Sequence, residues 1–192
     1  MNEVVLLIII EGWYQDMFFV QMSGHPGSGK STLARQIAAR VDVVIIDHDI
    51  VKSALLHTIE EEKAPMDGNL AAKISYNIDW SLIEFHLSQG QAVIFDSPCL
   101  YEVMVEKGTE LAKKYNVTYK YVECYLDDRN EINTRLKNRE RMISQIKEAE
   151  SEEAFTYTIN NSKKPSDYKC LIVDTSQPLD SYIQNVMNYI EE

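Results

Sequence analysis

The chain reads as a single α/β domain built on a parallel sheet. Three observations predict it. Strand-like and helix-like segments alternate along the sequence. Among the strand candidates, Val43-Val44-Ile45-Ile46 is a continuous apolar run, as expected where both faces of a sheet are covered, and Tyr119–Leu126 alternates. A glycine-rich turn, Gly24-His25-Pro26-Gly27-Ser28-Gly29-Lys30-Ser31-Thr32, follows the first strand and opens a helix. It fits G-x-x-x-x-G-K-[ST], the phosphate-binding loop.

Met17–Met22 predicts the first strand and Leu33–Arg40 the helix after the loop. Val43-Val44-Ile45-Ile46 is a β-branched run that predicts the second strand. Asp49 to about Glu60 suits a helix, and Glu61–Gly68, with Pro65 and Gly68, suits a loop. Asn69 is the expected cap of a long helix with Leu70, Ile74, Ile78 and Leu82 at i, i+4 spacing. Gly90 ends that helix. Ala92-Val93-Ile94-Phe95 predicts a third strand that stops at Asp96. A helix over Tyr101–Tyr115 and a strand over Tyr119–Leu126 come next. Glu131–Ile146 is arginine-rich and reads as helix, and Lys147–Pro165 is polar and poorly periodic. Leu171-Ile172-Val173 and Leu179–Ile190 predict the last strand and helix.

A length of 192 residues suits one domain with a full core. Apolar residues at 45% and charged residues at 26% give an ordinary globular balance. The formal net charge of −11 argues against general affinity for nucleic-acid backbones, since there is no basic excess to displace counterions. Cys99, Cys124 and Cys170 are far apart and lack C-x-x-C spacing, so reduced thiols in a cytoplasmic protein are expected. The apolar run Val4–Ile10 is too short to span a bilayer and has no basic leader or cleavage site. It reads as an extra strand, as a tail covering an apolar surface, or as sequence ahead of the natural start, with Met17 opening the first strand directly.

The loop carries the sharpest chemistry. Gly24, Gly27 and Gly29 permit turns that side chains obstruct, so several N–H groups can face one anion, with Ser28 between them. Lys30 adds a positive charge for the β- and γ-phosphates, Ser31 offers a hydroxyl to Mg²⁺, and Thr32 lies at the opening of the helix whose dipole faces the phosphates. Asp47-His48-Asp49 with Lys52 follows the second strand, at the carboxyl edge where ligands bind in open α/β sheets. Asp49 is the candidate base for an acceptor hydroxyl, Asp47 a helper, and Lys52 a contact for an anionic part of the acceptor. Both aspartates also read as helix caps, and His48 as structural. Asp96 ends an apolar strand, as does the aspartate that holds Mg²⁺ in nucleotide-binding sites. Ser97, Cys99 and Tyr101 would border the acceptor. Arg135 and Arg139 share a helix face and would close over the transferring group, although a solvated face is the plainer reading of such a charge run.

In their order along the chain, the phosphate loop, Asp47-His48-Asp49-Ile50-Val51-Lys52, Phe95-Asp96-Ser97-Pro98, the arginine helix and Leu171-Ile172-Val173-Asp174-Thr175 resemble zeta-toxin-like and related small P-loop kinases. That group includes gluconate-kinase-like, chloramphenicol-phosphotransferase-like and polynucleotide-kinase-like enzymes. The resemblance spans roughly residues 17–190. It implies a three-layer P-loop NTPase fold: five parallel strands in the order 2-3-1-4-5, helices on both faces, and a small lid near 139–165. The domain would run over 17–192. It also implies ATP and Mg²⁺ as cofactors and Asp49 as the base. Lys52 stands where polynucleotide-kinase-like members carry Arg, a departure from 5′-hydroxyl recognition. The expectation is an ATP-dependent phosphotransferase acting on a small-molecule hydroxyl, with no membrane, no nucleic acid, and a monomer or homodimer. Its rivals are an ATPase or switch module without an acceptor, and a toxin-like or polynucleotide-end kinase.

Overall fold

The structure is a computed structural model and describes residues 17–149, 151, 153, 155, 156 and 162–192. The expectations for residues 1–16, and for part of the lid between 150 and 161, lie outside the described residues.

Five parallel strands form one sheet: β1 (Phe18–Ser23), β2 (Val44–Asp47), β3 (Val93–Asp96), β4 (Thr118–Tyr125) and β5 (Cys170–Asp174). Their order is β2-β3-β1-β4-β5, as expected from the sequence. The register is continuous. Val20 stands opposite Ile94 on one side and Lys120 on the other, and Asp47 stands opposite Asp96. Six helices surround the sheet among the described residues: α1 (Lys30–Ala38), α2 (His48–Glu62), α3 (Gly68–Ser88), α4 (Glu102–Tyr115), α5 (Arg129–Asn138) and α6 (Leu179–Glu191).

Period-2 alternation divides β1 between two cores. Phe18, Val20 and Met22 face α1 and α6 and pack with Leu33, Ile37, Val186 and Ile190. Phe19 faces α3 and α4 and packs with Trp80, Ile83, Leu87, Met104 and Leu111. The central strand is therefore buried on both faces, which is why most of its positions are apolar. Gln21 is the polar exception. Its amide nitrogen donates to Cys99 Sγ and Met104 O, both at 3.0 Å, and its oxygen accepts from Tyr119 Oη at 2.7 Å. Fully satisfied, it stitches β1 to the turn after β3 and to α4. Gly108 on α4 gives it room, since a Cβ there would overlap Gln21 Oε1.

Four local expectations need correction. The cap of α3 is Asp67, whose carboxylate accepts from Leu70 N at 2.8 Å; Asn69 already lies inside the helix. The expected apolar stripe of α3 does not face the core: Leu70, Ile78 and Leu82 are exposed, and the buried face runs through Ala71, Ser75, Asp79, Trp80, Ile83 and Leu87. Glu61 and Glu62 belong to α2, which ends at Lys63 in a left-handed cap (φ 51°). The arginine helix is shorter than expected. It begins under Asp128, which accepts from Asn130 N and Glu131 N, and stops at Arg139, where the backbone turns extended. Residues 139–146 leave the helical path because Ser144 and Gln145 bond to α2 instead.

Candidate active site

The carboxyl ends of β1, β2 and β3 and the N-termini of α1 and α2 meet at one cavity of about 910 Å³. The loop between β1 and α1 forms its floor. Gly24, Gly27 and Gly29 take φ values of 134°, 87° and 93°, which an L side chain strains to adopt. Gly24 also has no space, because a Cβ would overlap the carbonyl of Cys124 on β4. Gly29 is the N-cap of α1, so the helix N–H groups open onto the loop. Lys30 Nζ lies along the loop and donates to Gly24 O (2.9 Å) and His25 O (3.2 Å). Thr175, after β5, clamps the loop from outside through Oγ1 to Ser28 O at 2.7 Å.

Asp96 closes one wall. It is buried, and burial raises its pKa against the opposing pull of Lys30 and Ser31. Its Oδ2 has no hydrogen-bond partner. An orphaned buried carboxylate oxygen is costly unless something cationic completes it. Together with the Ser31 hydroxyl it is a donor pair that could hold a divalent cation such as Mg²⁺. Among the described residues no cluster of three or more His, Cys, Asp or Glu side chains could hold a metal alone.

Asp47 and Asp49 sit on either side of the β2–α2 junction. Asp47 caps α2, accepting from Asp49 N at 2.9 Å. Burial and the neighbouring Asp96 push its pKa up to about 6. Asp49 lines the cavity with both carboxylate oxygens engaged. Ser144 Oγ donates to Oδ1 at 3.2 Å and Gln145 Nε2 to Oδ2 at 2.9 Å. Gln145 cannot turn its amide over freely, because its Oε1 accepts from Met142 N at 3.1 Å. Lys52 is half-buried, lines the cavity and has no ion-pair partner among the described residues.

The expected arginines separate in role. Arg135 is tied by Nε to Glu131 (2.9 Å) and by Nη2 to Thr175 O (2.8 Å), which holds it beside Gly29 at the β5 end of the cavity. Arg139 is on the extended segment, near Asp49, with Nη2 donating to Ile146 O at 3.2 Å and a buried Nε without a partner. Ser97 and Tyr101 line the cavity on its β3 side, Ser97 buried and Tyr101 exposed, whereas Cys99, expected beside them, turns into the core, where its Sγ accepts from Gln21, and does not line the cavity. Thr32 also lines it, one turn into α1.

Sequence reasoning missed a buried group behind this wall. His48 Nδ1 meets Asp79 Oδ2 at 2.6 Å, and the His48 ring stacks on Tyr76 at 3.9 Å. Asp79 is fully buried on α3, where burial raises its pKa and His48 opposes the rise. Its only mark in the sequence is its spacing, four residues after Ser75 and eight after Ala71, on the buried face. Ser144 and Gln145 carried no signal, because a loop residue's partner 95 positions away is set by folding alone.

A strand–loop–helix phosphate cradle, an acid at the end of the adjacent strand and a cavity reaching a second carboxylate define the class of P-loop nucleotide-binding folds. The chain belongs to the AAA_33 family, described as an AAA domain, whose model matches residues 19–157. No curated protein matches in sequence. Solved structures of similar fold include a candidate kinase of Chloroflexus aurantiacus J-10-fl (16% identity, 91% of this chain and 99% of that one, TM-score 0.71). A gluconokinase from Sinorhizobium meliloti 1021 is also similar (15%, 91% and 92%, TM-score 0.59). So is the APS kinase CysC of Mycobacterium tuberculosis with AMPPNP and APS (12%, 92% and 99%, TM-score 0.60). At these identities the likeness establishes the P-loop kinase type of fold. Among the described residues no helix is long and apolar enough to cross a membrane.

Proposed function

We propose that this protein is an ATP- and Mg²⁺-dependent phosphotransferase that moves the γ-phosphoryl group to a hydroxyl of a small molecule. One observation carries the reading. A single cavity contains the phosphate loop, the orphaned Asp96 oxygen and, beyond them, the Asp49 carboxylate. A nucleotide switch needs only the first two. A sugar kinase, a gluconokinase and an APS kinase of similar fold support the same class.

The loop amides and Lys30 bind the β- and γ-phosphates, Lys30 exchanging its two backbone carbonyl partners for phosphate oxygens. Ser31 and Asp96 would hold Mg²⁺, which neutralises charge shared by the phosphate oxygens. Asp49 aligns the acceptor hydroxyl and accepts its proton, while Ser144 and Gln145 fix the direction of its oxygens. Arg139, near Asp49 on the segment after α5, balances charge on the transferring group. Arg135 holds the β5 end of the site, and Lys52, without an ion-pair partner among the described residues, receives an anionic portion of the acceptor. Asp47 keeps the start of α2 in place, and Ser97 and Tyr101 border the acceptor.

The test is transfer of label from γ-labelled ATP across a library of hydroxyl compounds, including a sugar nucleotide and a 5′-hydroxyl oligonucleotide. Lys30→Ala should lose both nucleotide binding and transfer. Asp49→Asn should lose transfer while nucleotide affinity stays within about twofold, because Asp49 sits beyond the phosphate loop. Full turnover in Asp49→Asn would remove the assigned base. ADP formation indifferent to every compound would leave an ATPase or switch.

A further inference from the structure

The outer face of α3 has no cover among the described residues. Leu70 is 46% exposed, Ile78 41%, Leu82 36% and Phe85 57%. These positions lie at i, i+8, i+12 and i+15, so they share one side of the helix. The helix is closed on its other sides. Its core face packs on the sheet through Trp80, Ile83 and Leu87. One flank meets α2. The other flank is held by α4, where Lys114 Nζ meets Glu84 Oε1 at 2.5 Å and Tyr115 Oη donates to the same oxygen at 3.0 Å. A stripe of four large apolar side chains between two packed helices is more than scattered surface hydrophobicity, and patches of that kind mark an interface.

The chain itself contains a matching segment. Val4–Ile10 is seven consecutive apolar residues. The described chain begins at Met17, whose Sδ lies 3.7 Å from a Cβ built on Gly90, just past the C-terminal end of α3. Glu11–Asp16 supplies six residues of tether, a reach of up to about 20 Å. From Phe85 back to Leu70 the stripe is about 22 Å long at the helical rise. Seven residues in extended form can cover about 23 Å. Tether, length and polarity therefore agree.

We propose that the outer face of α3 is the docking surface for this chain's own Val4–Ile10 run, which engages Leu70, Ile78, Leu82 and Phe85 in the same molecule. An intramolecular occupant has a large advantage over a free partner, since a short tether holds it at millimolar effective concentration. None of Leu70, Ile78, Leu82 and Phe85 lines the cavity that holds the loop, Asp49 and Asp96, and the proposal does not depend on the kinase reading.

The test compares the full chain, a form lacking residues 1–16, and each of these carrying Ile78→Glu with Phe85→Glu. Both substituted side chains are exposed, so the charges remain solvated and circular dichroism should be unchanged. Chymotrypsin should cut the full chain after Leu6 and Leu7 roughly tenfold more slowly than the full chain with the two glutamates, because docking protects the segment. Removing residues 1–16 should raise bis-ANS fluorescence several-fold, and the two glutamates should abolish that rise. Equal cleavage rates with and without the glutamates would overturn the proposal. So would a dimer, seen by light scattering, that survives removal of residues 1–16 and is dispersed by the glutamates, since the occupant would then be a second copy.

Discussion

Gly24→Ala is the most stringent test of the loop geometry. The residue sits at φ 134°, where a non-glycine residue costs about 1–3 kcal/mol. Its new Cβ would also overlap the Cys124 carbonyl oxygen and lie 2.7 Å from Ser28 Oγ. The serine can rotate. The carbonyl cannot move alone, because Cys124 pairs with Val173 in the β4–β5 ladder and β4 also pairs with β1. The loop must therefore yield, carrying Gly24 O away from Lys30 Nζ. Expected results are a stability loss of about 1–3 kcal/mol in urea and, at roughly 2–4 °C per kcal/mol for this size, a fall in Tm of about 2–12 °C. Nucleotide affinity should drop about tenfold or more, read with a fluorescent ATP analogue, since amide positions set anion binding. Gly68→Ala is the control: it lies in the first turn of α3 with nothing within 4 Å of a Cβ, and should be neutral or stabilise by up to about 1 kcal/mol. A Gly24→Ala protein with wild-type urea midpoint and wild-type affinity would refute the reasoning.

Other consequences can be measured independently. Gln145→Ala removes a donor from the Asp49 carboxylate; a hydrogen bond to a charged group is worth about 1.5–3 kcal/mol, so kcat should fall roughly 10- to 100-fold while KM for ATP holds. Asp79→Ala leaves the buried His48 ring without its hydrogen-bond partner and should destabilise by about 1–3 kcal/mol in urea, and replacing both residues by leucine should cost less than that single change. Burial pushes the Cys99 and Cys124 thiols up to about 12, which keeps both protonated at pH 8, whereas Cys170 is only half-buried. An aromatic disulfide reagent at pH 8 should thus titrate Cys170 first and reach all three thiols only in denaturant; rapid reaction of all three in buffer would contradict the packing.

Much of the scaffold was legible because its signals are local. Apolar side chains at most positions mark β1 and β3, since both faces of those strands meet side chains one layer away. The glycines of the loop stand where the backbone turns into φ > 0, a demand that few other residues meet. The capping duty of Asp47 and the strand end at Asp96 were also visible, each resting on neighbours within a few residues. The misreadings share a cause. Leu70, Ile78 and Leu82 have perfect helical spacing, but spacing reports periodicity and not which side of a helix meets the sheet. The arginine helix ended early because bonds to α2 outweigh the helical preference of residues 139–146.

By itself, the order of residues determined an α/β chain with a phosphate cradle after its first strand, because backbone conformation and apolar runs are properties of short segments. Only the tertiary structure decided that β2 and β3 bring Asp47 level with Asp96, that Asp79 lies behind His48, and that Ser144 and Gln145 grip Asp49. Each of those contacts joins residues 31 to 96 positions apart, apart from the strand register, and such pairs are chosen by the packing of whole elements, in which no short window of sequence takes part.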